Sequence, residues 1–140
     1  NPYGDPWNVE IVQRWVSRLA DMGISILQLS DTIGVASPES IRYLFSNLVP
    51  AYPGIELGAH FHTVPDKWKE KIETAYRYGC RRFDGAVKGY GGCPMAKDDL
   101  TGNMPTENML FYFLDEGIDT GVGLDAFGEA MAMAGEVFPE

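Results

Sequence analysis

Cysteine and histidine are scarce in this chain, with two residues of each type among 140. Cys80 and Cys93 form neither a CxxC motif nor a disulfide-rich pattern, which favours a reducing compartment. No segment is long and apolar enough to span a bilayer, and no signal-peptide pattern is present. The net charge of −9 argues against nucleic acid and against an anionic membrane surface as partners. Local cations such as Lys88 and Lys97 could still bind a single anionic ligand.

The length suits one domain, residues 1–140, and a hydrophobic content of 45% suits a globular core. The chain starts with Asn1 followed by a loop-like stretch, so we expect it to begin inside a larger protein. A bacterial cytoplasm is the expected location, or the mitochondrial matrix if the source is eukaryotic.

Helix-like and strand-like segments alternate along the chain. Helices are predicted at 6–22, with Asp5 as the cap, at about 38–50, and at 65–78, 105–116 and 124–137. Strands are predicted at 24–29, 55–62 and 80–87. This order predicts an α/β fold with a parallel sheet. Three strands cannot close a barrel, so the alternatives are a small open domain and the last three βα units of a (β/α)8 barrel with a C-terminal helix. The truncated start favours the incomplete barrel.

Polar residues gather where the predicted strands end. Asp31 and Thr32 follow the first strand, His60 and His62 end the second, and a glycine-rich loop follows the third. Functional groups collect at the carboxyl ends of parallel strands, so these residues should share one edge of the sheet. Asp31 and Thr32 could serve a turn, but the strand-end position also makes Asp31 a candidate general base.

The two histidines stand at positions i and i+2 of a strand, which project to the same side. Taken alone, the HxH spacing is a weak signal and favours two histidines on a solvated strand face. With carboxylate and amide groups expected opposite, we favour a metal site for a divalent cation, Mg or Mn, with Zn as an alternative.

The loop 88–97 contains three glycines within four positions, which permit close approach of the backbone to a ligand. Cys93 in this loop is predicted to be exposed and reactive, whereas Cys80 is predicted to be a small core residue. Asn103 precedes a proline-led helix and is either its cap or a metal ligand. Glu107 is interpreted as an ordinary acid of the first helical turn, with the orientation of a metal ligand as the alternative.

At these residues the chain resembles the 3-hydroxy-3-methylglutaryl-CoA (HMG-CoA) lyases, within the metal-dependent lyase and Claisen-synthase group of TIM barrels. The matching stretches occur in family order and are Ser30 to Val35, His60-Phe61-His62, Asp84, Gly91 to Pro94 with Ala96-Lys97, and Gly102-Asn103 with Thr106-Glu107. The Gly-Gly-Cys-Pro loop is the part that is specific to the lyases.

The resemblance implies a role for each of these positions. The implied metal ligands are His60, His62 and Asn103, and the implied catalytic residues are Asp31 and Cys93. The residues implied to orient the ligands or to contact substrate are Thr32, Asp84, Gly91, Gly92, Lys97 and Glu107. A fourth ligand, an aspartate, and a neighbouring catalytic arginine would lie outside this chain.

The implied activity is a retro-Claisen cleavage of HMG-CoA, or of a close acyl-CoA, to acetyl-CoA and acetoacetate, as in leucine degradation and ketone body metabolism. Asp31 would take the hydroxyl proton and Cys93 would protonate the thioester enolate. The alternatives are a Claisen-type synthase, a metal-dependent aldolase and a non-catalytic partial barrel. The expected partners are the acyl-CoA substrate and the missing N-terminal half of the barrel, with a homodimer left open. These 140 residues alone should be inactive.

Overall fold

A computed structural model of the protein describes residues 3–92, 95–96 and 101–138. Helices and strands alternate, and the α/β prediction is confirmed. In chain order the elements are α1 (Val9–Asp21), β1 (Ile26–Asp31), α2 (Pro38–Ala51), β2 (Glu56–Thr63), α3 (Trp68–Arg77), β3 (Arg82–Asp84), a 3-10 turn (Val87–Gly89), β4 (Gly102–Asn103), α4 (Thr106–Asp115) and α5 (Leu124–Val137).

Side-chain caps set the starts of the first two helices. The side chain of Asn8 accepts a hydrogen bond from Ile11 N at 2.8 Å, so α1 begins at Val9. The prediction that Asp5 caps this helix is therefore wrong. In α2, the N-cap Ser37 and Ser40 in the first turn form a reciprocal capping box, and Pro38 is the first helical residue. Across the described part of the chain, every helix is too short or too polar to cross a membrane.

The three predicted strands pair in parallel in the order β1-β2-β3. The register places Ser30 opposite His60 on one side, and Asp84 opposite His60 on the other. Strand β3 is shorter than predicted, with three residues instead of eight. The two-residue strand β4 was predicted as loop, and it pairs antiparallel with the end of β2.

Helices α1 to α4 cover one face of the sheet, where the core lies. Leu57, Ala59 and Phe61 of β2 are buried there, as their alternation predicts. They belong to a cluster with helical residues, chiefly Val16 of α1, Ile41, Phe45 and Leu48 of α2, Ile72 and Ala75 of α3, and Met109 and Phe113 of α4. Cys80 is also buried in this cluster, which confirms its prediction as a core residue.

The opposite face of the sheet is polar. Along β2 it carries Glu56, Gly58, His60 and His62, and the register aligns polar residues of the neighbouring strands with them, namely Gln28, Ser30, Arg82 and Asp84. The exposure of these flanking residues is intermediate or high, in contrast to the buried core side. The histidines therefore project from the side of the sheet that the helices leave accessible.

Candidate functional site

The two histidines lie side by side at the carboxyl end of β2. Their ring centroids are 5.2 Å apart, with the planes nearly perpendicular. Nδ1 of His60 lies 2.8 Å from Oδ1 of Asp84, which the parallel register brings opposite it from β3. A carboxylate on one ring nitrogen fixes the orientation of an imidazole and leaves the other nitrogen for a ligand. Asp84 thus holds His60 in the arrangement found around metal-binding histidines.

Asn103 lies directly opposite His62 in the antiparallel pairing of β2 with β4. Its Nδ2 donates to the carbonyl oxygens of Tyr90 and Gly91, at 2.8 Å each. Both amide hydrogens are used in this way, so Oδ1 is the atom that remains for a cation. Helix α4 begins after Pro105 without a side-chain cap. The interpretation of Asn103 as a helix cap is therefore wrong.

The glycines of the loop fit closely against Asn103. Gly91 has a φ of +84°, and a Cβ atom built on it would lie 2.9 Å from Asn103 Nδ2. Its carbonyl accepts from both the backbone and the side-chain nitrogen of Asn103. Gly92 forms an isolated bridge with Gly102. A side chain at position 91 would therefore strain the backbone and displace the Asn103 amide.

The environment of His62 is suited to a cation. Its Nδ1 is buried, and it has no hydrogen-bond partner among the residues that the structure describes. Burial lowers the pKa of His62 below its usual value, and the neighbouring His60 lowers this pKa further. A neutral imidazole is the form that binds a metal. The donor set fits a divalent cation in kind, although no three His, Cys, Asp or Glu side chains within the described ranges converge on one point.

Asp31 stands at the end of β1, as predicted, but its carboxylate lies on the helix-covered side of the sheet. It is paired in register with the buried Phe61 and is itself only 8% exposed. Oδ2 accepts from Lys71 Nζ at 2.6 Å, and Oδ1 accepts from Val35 N at 2.9 Å. The structure thus places Asp31 beside the histidine strand but directs its oxygens to α3 and to its own loop.

Thr32 lies next to Asp31 in a cavity of about 560 Å³ between β1, α1 and α2. Its lining includes Trp7, Ser37 and Phe61, but neither histidine. Because neither histidine lines this cavity, the structure does not bring Thr32 into the group of His60, His62 and Asn103.

Glu107 lies in the first turn of α4, as predicted, and its Oε2 accepts from Lys88 N at 2.9 Å. Lys88 has a φ of +56°, the one left-handed non-glycine residue in the part of the chain that the structure describes. Glu107 therefore fixes the base of the glycine-rich loop through the Lys88 amide. The predictions for Cys93 and Lys97 fall outside the described residues.

Lys71 is a residue that the sequence prediction missed. Its ammonium group is buried within hydrogen-bonding distance of Asp31 and of the carbonyl oxygens of Gly34 and His62. A signal was present, because Lys71 lies among Trp68, Ile72 and Ala75 on the apolar side of α3. A lysine on the buried face of a helix requires acceptors nearby, and the polar strand ends are the available source.

The comparisons with known proteins agree on one family. The family model described as HMGL-like matches residues 6–133. The hydroxymethylglutaryl-CoA lyase YngG of Bacillus subtilis is 34% identical over 124 residues, which are 89% of this chain and 41% of that protein. The cytoplasmic 3-hydroxy-3-methylglutaryl-CoA lyase of Homo sapiens is 34% identical over 129 residues, with 92% and 35% covered. The chain thus spans about two fifths of the length of these curated relatives.

Solved structures give the same result. The crystal structure of the Bacillus subtilis HMG-CoA lyase superposes with a TM-score of 0.88 at 31% identity, over 100% of this chain and 48% of that one. An Acinetobacter baumannii HMG-CoA lyase in complex with coenzyme A and 3-methylmalate superposes with a TM-score of 0.81 at 30% identity, over 96% and 44%. The family model covers most of the chain, and the lyases share its parallel α/β fold. The chain belongs to the HMGL-like family, as do HMG-CoA lyases that it resembles in sequence and structure.

Proposed function

We propose that the protein containing this chain is a metal-dependent carbon-carbon lyase that cleaves HMG-CoA, or a close acyl-CoA, to acetyl-CoA and acetoacetate. The observation that carries this proposal is the grouping at the end of β2. His62 faces Asn103 across a strand pair, and His60 is oriented by Asp84 at 2.8 Å. The relatives supply the substrate class, since one solved neighbour was crystallised with coenzyme A.

In this proposal the chain is the last part of one TIM-barrel catalytic domain, with three βα units followed by α5. One edge of β1 pairs with no strand of the described residues, and this edge and the accessible polar face of the sheet suit the closure of a barrel by further strands. The remaining strands, an aspartate ligand and a catalytic arginine would come from outside residues 1–140. We therefore expect the isolated 140 residues to show no turnover.

His60, His62 and Asn103 would hold the divalent cation, Mg or Mn in preference to Zn. When bound, the cation would polarise the substrate oxygens and lower the barrier to removing the hydroxyl proton. Asp84 keeps the ring of His60 in place, and the Gly91 carbonyl keeps the amide of Asn103 in place. Glu107 anchors the loop that contains Cys93 through the Lys88 amide.

The proton transfers belong to Asp31 and Cys93 in this proposal. Asp31 is the base by resemblance, and to act it must present an oxygen to the substrate hydroxyl beyond its two internal hydrogen bonds. Cys93 would protonate the enolate of the departing thioester, because an ordinary thiol is mostly protonated at neutral pH.

Acetoacetate release from HMG-CoA by the full-length protein, with Mg or Mn added, tests the activity. We expect turnover that chelation abolishes and that His62→Ala reduces by at least roughly 100-fold, beyond the loss typical of residues that only orient ligands. Arg82→Met is the control, because Arg82 pairs with Glu56 at the other end of β2 and should leave turnover unchanged.

The same assay separates the alternatives. Condensation with acetyl-CoA in place of acetoacetate release would indicate a Claisen-type synthase. Neither reaction, with a folded protein and metal present, would contradict the lyase proposal and favour an aldolase substrate or a non-catalytic partial barrel.

A further inference from the structure

The side chain of Lys71 links the carboxyl ends of β1 and β2 on the helix-covered side of the sheet. Lys71 lies in α3, and its side chain is 2% exposed. The ammonium group donates three hydrogen bonds, to Asp31 Oδ2 at 2.6 Å, to Gly34 O at 2.9 Å and to His62 O at 2.8 Å. An ammonium group has three hydrogens, so each has an acceptor and none is left for a ligand.

The three acceptors belong to the carboxyl end of β2, which carries the candidate ligands, and to the neighbouring end of β1 with its turn. Asp31 is the last residue of β1 and Gly34 lies in the turn that follows, where Val35 N donates to Asp31 Oδ1. His62 is the candidate ligand at the end of β2. A Cβ on Gly34 would lie 3.4 Å from the His62 carbonyl, so the turn packs directly against that peptide. One buried cation thus fixes a turn, a carboxylate and the backbone of a candidate metal ligand.

We propose that Lys71 is a positioning residue that fixes the backbone at His62 and the turn 31–35 and thereby sets the affinity of the site for its divalent cation. This inference rests on the metal site of the proposed function and adds a residue to it. Lys71 acts through hydrogen bonds to other groups and touches neither metal nor substrate. Removal of such a support typically lowers metal affinity by about 10- to 100-fold.

An argument from charge alone predicts the opposite change in metal affinity. A positive group behind His62 repels a cation, so its removal should tighten metal binding if electrostatics dominate. A lysine that only stabilises the fold makes a third prediction, since the folded fraction would then bind metal with unchanged affinity. The direction of the change in affinity therefore separates the three explanations.

The experiment titrates the full-length protein with Mn²⁺ and follows the electron paramagnetic resonance signal of free Mn²⁺. Lys71→Met, folded by circular dichroism, should bind Mn²⁺ about tenfold or more weakly than the wild type. Lys67→Met is the matched control, because it removes an exposed lysine of the same region that pairs with Glu70 at 3.7 Å. Equal or tighter binding by Lys71→Met would overturn the inference.

A second variant tests the same inference if Lys71→Met does not fold. Asp31→Asn/Lys71→Met removes both charges and so leaves no unpaired buried carboxylate, but His62 O and Gly34 O still lack their donor. It should fold and still bind Mn²⁺ more weakly than the wild type. Wild-type affinity in this variant would show that the carbonyl contacts have no positioning effect.

Amide hydrogen exchange of the metal-free protein provides a readout that does not depend on metal binding. In Lys71→Met the Val35 and Gly34 amides should exchange at least about tenfold faster, while Lys67→Met exchanges like the wild type. If the wild type binds no Mn²⁺, the proposed metal site fails. Unchanged exchange in Lys71→Met would instead reject the role of Lys71.

Discussion

The two ends of β2 carry ion pairs of opposite character. At the carboxyl end, Lys71 and Asp31 are 2% and 5% exposed and lie 2.6 Å apart. At the amino end, Arg82 and Glu56 are 40% and 46% exposed, with a closest distance of 2.9 Å. The buried pair has further hydrogen bonds to backbone groups, whereas the exposed pair joins only two neighbouring strands.

The difference shows at which end of β2 the protein buries an ion pair whose desolvation is unfavourable. Desolvating two charges opposes folding unless further hydrogen bonds compensate, while an exposed pair is nearly neutral in free energy. The buried pair stands at the end where the histidines and Asn103 meet. We interpret it as a requirement of the site geometry and not as a contribution to overall stability.

Removal of one partner from each pair should give the largest contrast. Lys71→Met leaves a buried carboxylate unpaired and should lower the free energy of unfolding by about 3–5 kcal/mol. Arg82→Met should lower it by no more than about 1 kcal/mol. Urea denaturation of the full-length variants measures both values. Similar losses for the two variants would remove the distinction between the ends of β2.

Two glycines that flank β1 give a second contrast of intermediate size. Gly23, before the strand, has a φ of +89° and open space around it, so Gly23→Ala should cost only backbone strain of about 1–2 kcal/mol. Gly34, after the strand, has a φ of +71°, and its Cβ would lie 2.8 Å from Thr101 Cγ2. Gly34→Ala should therefore cost about 2–4 kcal/mol in urea denaturation, since overpacking adds to the strain.

The control for this contrast removes the clashing methyl group. Thr101→Ser in the Gly34→Ala background should recover the overpacking part of the loss and leave the strain. If Thr101→Ser recovers nothing, close packing of the turn against Thr101 is not the cause.

The smallest expected effect concerns Cys80, near the amino end of β3, whose thiol should not react in the folded protein. The thiol is buried and donates to Arg82 O at 3.2 Å, and burial raises the pKa of Cys80 to about 12. Iodoacetamide at pH 8 should therefore leave the Cys80 peptide unmodified in the folded protein and alkylate it in urea, as judged by mass spectrometry. Alkylation of Cys80 under native conditions would show that this end of the sheet is accessible.

Much of the fold was predictable because its signals are local. The last helix was predicted at 124–137, which are the bounds of α5, and β2 follows the alternation of Leu57, Ala59 and Phe61. The start of α1 was not predictable in the same way, since Asp5 and Asn8 are both suitable caps and only the packed helix selects Asn8. Strand β4 has two residues, too few for any periodicity to appear.

The candidate site was predictable in its order along the chain but not in its contacts. Strand ends brought His60, His62 and Asn103 to one edge without any knowledge of the loop path. Strand alternation already places Asp31 on the same side as Leu27 and Leu29, which pack against the core, but its partners there are set by the assembled sheet. The contacts of Lys71 likewise join residues 9 to 40 positions apart, so they arise only from tertiary packing.

The glycine-rich loop is attached at its base to both C-terminal helices. Glu107 of α4 accepts from the Lys88 amide, and the Tyr90 hydroxyl donates to the Phe138 carbonyl just after α5, at 3.1 Å, with the two rings 5.3 Å apart. The carbonyls of Tyr90 and Gly91 in turn hold the Asn103 amide. The two C-terminal helices therefore support a candidate ligand indirectly, because the segment after α5 holds the Tyr90 side chain while the Tyr90 carbonyl holds the Asn103 amide.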